Sequence, residues 1–91
     1  MADPLTLIKA SGEGDKASVQ RLLDAGANVN AAVLQGRTPL MAAASTGNAD
    51  IVLLLIAFGA DIAAQDQTGW TALRYSTEYG HKAVERILRR A

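Results

Sequence analysis

The sequence predicts an all-α solenoid of three helix–turn–helix units joined by hairpin-like loops. The first observation behind this is self-similarity at one fixed period. Gly14, Gly47 and Gly80 are spaced 33 residues apart, as are Leu7, Leu40 and Leu73. Gly36 and Gly69, "TPL" at Thr38 and "TAL" at Thr71, and "GAN" at Gly26 and "GAD" at Gly59 keep the same spacing of 33. The second observation is that helix start and stop residues recur at matching places in each unit. The third is composition. The chain is 49% hydrophobic but only 4% aromatic, with two Pro and much Ala, which suits closely packed helices.

Taken in order, Asp3-Pro4 offers an N-cap and a first turn for the opening helix. Asp15 caps the second helix, and Gly26 closes it. In the middle unit Thr38 is an N-cap with Pro39 at the first helical position. A short helix follows and stops near Gly47. Asn48 is then expected to cap "ADIVLLLIAF", and Gly59 to end it in the left-handed conformation that glycine accepts. The stretch "ADIAAQDQTG" reads as extended chain leading into a turn at "DQTG", with Asp66 in an Asx role. Thr71 and Ala72 repeat the helix start, and that helix stops near Gly80. The units are placed at about 3–35, 36–68 and 69–91 of a single domain spanning 1–91.

The end units differ from the middle one in an instructive way. By period, Ile51 and Leu54 correspond to Ser18 and Arg21 in the first unit and to Val84 and Ile87 in the last. Val52 and Ile56 correspond to Val19 and Leu23 in the first unit, but to Glu85 and Arg89 in the last. The first pair is therefore expected to face the preceding unit and the second pair the following one. A residue turns polar where it has no neighbour, since an aliphatic side chain left bare forgoes roughly 1.5–3 kcal/mol of burial. This pattern implies two dressed ends and a complete three-unit array.

Units bearing "GRTPLMAAASTGN…IVLLLIAFGADI" and "GANVNA" resemble the ankyrin repeat, over essentially the whole chain. The resemblance implies L-shaped units stacked side by side, with fingers projecting from one edge. It further implies a concave face, lined by fingers and first helices, that usually binds another protein. The His that the family places after "TPL" is replaced by Met41 and Arg74. The hydrogen bonds that His gives the loop are therefore not expected from these positions.

Catalytic and metal chemistry find little support. There is no Cys, and the single His, His81, follows Gly80 at a helix start, a structural position. No nucleophile or base is spaced to pair with it. Scattered carboxylates do not make a metal site. "SGEGDKAS" lacks the Lys-Ser/Thr ending of a phosphate loop. No enzyme activity, cofactor or metal is expected. Nine Lys+Arg balance nine Asp+Glu, so nothing attracts nucleic acid or an anionic membrane. The longest apolar run, Ile51 to Phe58, is too short to span a bilayer, and a soluble, cytoplasmic chain is expected.

What varies between matching positions points to function. By analogy with the family, Val33, Leu34, Gln35, Arg37, Ala42, Ser45 and Thr46 belong to the fingers and concave face of the middle unit. Gln67, Thr68, Trp70, Tyr75, Glu78 and Tyr79 do so in the last. Of the chain's aromatic residues (one Trp, two Tyr, one Phe), all but Phe58 fall in this set. Tyr75 and Tyr79 are four apart on one helix and so share a face. Leu34, Gln35, Arg37, Ser45, Thr46, Gln67, Thr68, Trp70, Tyr75, Glu78 and Tyr79 are the candidate contacts for a partner protein, with Trp, Tyr and Arg at the centre. The other reading of the rings is that they shield the open end of the last unit. A second surface, Leu53, Ala57 and Phe58, is expected on the convex back and could support weak self-association, although a monomer is favoured. The alternatives to a binding module are thus a self-associating assembly unit and an engineered scaffold without a natural partner.

Overall fold

The computed structural model describes residues 4–91, excepting the side chains of Pro4, Leu5 and Leu34. Its helices run in three consecutive pairs: α1 (Pro4–Glu13) with α2 (Lys16–Asp24), α3 (Pro39–Thr46) with α4 (Ala49–Ala57), and α5 (Ala72–Glu78) with α6 (Lys82–Arg90). Among the described residues there is no strand, only an isolated antiparallel bridge between Val33 and Arg37 around a 3₁₀ turn at Leu34–Gly36.

The caps follow from the residues that supply them. Thr38 and Thr71 sit in extended backbone and accept from the N–H groups of Met41 and Arg74. Asp15 accepts from Ser18 N–H, which together with the Ser18 hydroxyl holds its carboxyl below the usual range. Asn48 departs from expectation. It occupies the N-cap position of α4, but its side chain makes no capping bond. Its amide instead donates to the Ser11 carbonyl at 3.2 Å and to Thr46 Oγ1 at 2.7 Å. The unit-to-unit tie has won over the local cap. The proposed Asp3 cap lies outside the described residues.

The first helices α1, α3 and α5 pack on one another more closely than the second helices α2, α4 and α6 do. Small side chains permit this approach. A Cβ at Gly12 would lie 3.6 Å from that of Ala42. With α1 on one side and α5 on the other, α3 is buried from Pro39 to Ala44. Ala42 is thus interior, not part of an exposed face as its variability suggested; it varies because it fits the space between helices. The buried hydroxyls of Ser11 and Ser76 turn back to the carbonyls of Leu7 and Leu73, at 2.8 and 2.7 Å, so neither is left unpaired.

The second helices complete the core. Val19, Leu23, Ile51, Val52, Leu55, Val84 and Leu88 are buried, with Leu54, Ile56 and Ile87 packed against them. Val52 is fully buried, as the unit-by-unit comparison requires, and Ile56 is partly buried. Glu85, at the corresponding position of α6, stays partly exposed and pairs with Arg89 at 2.9 Å. Polar ties repeat along the stack. His81, at the position matching Asn48, donates from Nε2 to the Ser45 carbonyl at 3.0 Å. Asn30 donates to the Gly59 carbonyl at 3.2 Å and accepts from Asp61 N–H at 2.6 Å. The first two units are therefore tied by apolar burial and by directional bonds near both ends of α4, and the last two by apolar burial and by the His81 bond at the start of α6.

Candidate functional site

Two tight turns project from the first-helix side. In the first, Val33 N–H bonds the Arg37 carbonyl at 3.0 Å and Gly36 N–H bonds the Val33 carbonyl at 2.8 Å. In the second, Asp66 N–H bonds the Trp70 carbonyl and Gly69 N–H the Asp66 carbonyl, both at 3.0 Å. Gln67 N–H then donates to the Gln35 carbonyl at 2.8 Å, joining the fingers side by side. Val33 is a half-buried stem residue of its finger, and the tip is Leu34–Gln35, with Gln35 at φ 66°.

Asp66 organises the second finger. Its Oδ1 accepts from Thr68 N–H at 2.8 Å, the Thr68 hydroxyl at 2.5 Å and Trp70 N–H at 3.1 Å. Its Oδ2 accepts from the Tyr75 hydroxyl on α5. The Thr68 hydroxyl, then the Tyr75 hydroxyl, hold the Asp66 carboxyl down at about 2. The same carboxylate pushes the Tyr75 hydroxyl above the usual phenol range. The Asx role read from "DQTG" is present, and it extends across to the helix.

The rings form a ladder. Trp70 and Tyr75 lie 5.0 Å apart, centre to centre, at 59°, and Tyr75 and Tyr79 lie 6.3 Å apart, nearly parallel at 18°. Arginines flank it, Arg74 over the Trp70 ring at 4.7 Å and Arg37 over the Tyr75 ring at 5.6 Å. Arg74 also pairs with Glu78 at 2.9 Å, and Arg37 donates to Ser45 Oγ at 3.1 Å. Aromatic pairs and cation–π contacts of this kind contribute about 0.5–1.5 and 0.5–1 kcal/mol each. Their collective effect is to hold the side chains in place before anything docks.

The structure brings Arg37, Ser45, Trp70, Tyr75, Glu78 and Tyr79 into one connected group. Gln35, Gln67 and Thr68 are exposed on the fingers beside it. Thr46 is exposed but turned to the Ala42 carbonyl at 3.1 Å and to Asn48. Leu34 lies at the finger tip in sequence, its side chain outside the described residues. Trp70 and Tyr75 are half-buried, whereas Tyr79 is 59% exposed. No group of three or more His and carboxylate residues among the described residues could hold a metal ion. Nor is any helix among them long and apolar enough to cross a membrane.

Paired helices stacked through small residues, with fingers on one edge, are matched by a family model described as ankyrin repeats, three copies, over residues 7–91. The chain belongs to the ankyrin-repeat family. It is 45% identical over 84 residues to an ankyrin repeat and KH domain-containing protein, mask-1, of Caenorhabditis elegans, covering 90% of this chain and 3% of that protein. Over 91 residues it is 42% identical to a mouse ankyrin repeat, SAM and basic leucine zipper domain-containing protein, covering 93% and 19%. Over 66 residues it is 35% identical to a Notch-regulated ankyrin repeat-containing protein of Xenopus tropicalis, covering 72% and 58%. The chain thus spans only part of the length of each of these relatives. Ankyrin repeats are generally protein–protein interaction modules, a non-catalytic fold.

Proposed function

We propose that this ankyrin-repeat chain binds a partner protein through its fingers and first-helix face, with Tyr79, Trp70, Tyr75 and Arg37 at the centre. The observation that carries this reading is Tyr79. The residue is 59% exposed, yet its ring is stacked on Tyr75 and so loses little freedom on docking. Shielding of the core accounts for Tyr75, which packs against it, and in part for Trp70. It does not account for a ring left largely in water. Gln35, Gln67 and Thr68 supply an adaptable polar rim.

The test uses a partner captured from source cells and then titrated as a purified protein. Tyr79→Ala should leave the circular dichroism unchanged, lower the melting temperature by no more than the several degrees that losing one ring pair implies, and weaken binding by on the order of 2 kcal/mol. Trp70→Ala separates the roles of the rings. A large drop in melting temperature assigns Trp70 to shielding; a loss of affinity alone assigns it to contact. Unchanged affinity in both variants would refute the proposed face.

A further inference from the structure

Resting on that proposed face, we infer that its partner presents an acidic side chain, Asp or Glu, within a few residues of an aromatic or aliphatic one. Arg37 receives the acid, and Tyr79 the apolar residue. The argument begins with the charges of the face. Its carboxylates are already engaged: Glu78 by Arg74, and Asp66 by Thr68, Trp70 and Tyr75. Arg37 is half-buried and makes no ion pair among the described residues; its one hydrogen bond there goes to Ser45 Oγ. A guanidinium carries five N–H donors in a rigid fork that matches a carboxylate. Here the fork is steadied by Ser45 on one side and the Tyr75 ring on another, with most of its donors unclaimed by the chain.

Geometry joins this fork to the exposed ring. The Arg37 guanidinium and the Tyr79 ring lie 5.6 and 6.3 Å from the same Tyr75 ring centre. An extended segment advances about 3.3 Å per residue, so three or four residues reach both. An acid in such a segment would gain a charge-assisted bond in a partly desolvated place, while its neighbour covers the Tyr79 ring. A basic segment would instead meet the Arg37 cation at close range, while the Asp66 carboxylate, still charged, has its oxygens taken by Thr68, Trp70 and Tyr75.

A random peptide library displayed on phage, selected against purified wild-type protein and variants, tests this. Wild type should enrich peptides with Asp or Glu within four residues of Phe, Tyr, Trp or Leu. Arg37→Glu should replace the acidic preference with Lys or Arg, and Tyr79→Ala should remove the aromatic one. Circular dichroism checks the fold of each variant. Should Arg37→Glu fail to fold, Arg37→Gln replaces it. It should bind a selected synthetic peptide at least tenfold more weakly, and the peptide's own acid-to-amide analogue no more weakly than wild type does. Peptides that depend on Tyr79 but show no acidic preference overturn this inference and leave the proposed face standing. Peptides insensitive to both residues overturn both, and a selection that enriches nothing counts against this inference.

Discussion

Asp66 shows how one residue sets the working shape of a finger. Its carboxylate accepts from its own turn and from the Tyr75 hydroxyl, so finger and helix α5 share one acceptor. Because the Asp66 pKa is depressed to about 2, its contribution is present above the ordinary aspartate value and is lost as pH falls through about 2. The linked Tyr75 hydroxyl behaves with the opposite sign. Raised above its ordinary value, it favours the folded state below that value, and the benefit is lost as pH climbs through the raised one. Replacing Asp66 with Asn removes the charge with little change of shape. The Tyr75 ring resonances, followed by NMR through alkaline pH, should then titrate at lower pH than in wild type, with burial still holding the phenol up. If the midpoint stays as high as in wild type, the finger is not coupled to the helix through this carboxylate. The turn itself was legible in "DQTG". The reach to Tyr75 was not, because the two residues are nine positions apart and meet only once the finger folds back.

At the scale of elements, spacing between helices decides which residues can be changed. Leu55 of α4 is fully buried in the middle layer, and α4 packs against the second helices of both flanking units. Leu55→Ala should cost about 2–5 kcal/mol in urea denaturation. A loss below about 1 kcal/mol would contradict its place in the core. Gly12 tests the opposite sign. It lies within α1, and an added methyl would meet Ala42 at 3.6 Å, an ordinary contact. Gly12→Ala should therefore stabilise by about 0.5–1 kcal/mol, through helix propensity and a less free unfolded chain. Gly47 allows no such change. Its φ is 77°, and a Cβ there would stand 2.5 Å from His81 Nδ1, so Gly47→Ala should lower the melting temperature. Helix starts were legible because Thr38 and Thr71 cap locally. Asn48 holds the N-cap position read for it, but the diversion of its side chain was not legible, because Ser11 is 37 residues away and a distant carbonyl leaves no trace in local pattern.

For the molecule as a whole, the period of 33 made the stack legible, since each unit states the next one's contacts. It could not say how the outer surface of the stack behaves, because solvent-facing positions answer to no neighbour. The apolar back is the case in point. Leu53 is 51% exposed and Phe58 41%, and an open groove of about 310 Å³ beside them is lined by Leu53, Ile56, Ile87, Arg90 and Ala91. The apolar lining invites pairing with a second copy. A two-fold pairing, however, sets the same patch against itself, and that brings two copies of Arg90 into one interface, with Arg86 and Arg89 on the same short helix. Like charges brought close while losing water oppose the gain from two leucines. Wild type should therefore sediment as a monomer at tens of micromolar, and Leu53→Glu should change nothing. The discriminating variant is Arg90→Leu. It removes the repulsion and extends the apolar strip, so it should produce concentration-dependent dimers that added Leu53→Glu abolishes. A wild-type dimer dispersed by Leu53→Glu would make the back an assembly surface, with Arg90 paired rather than opposed across it.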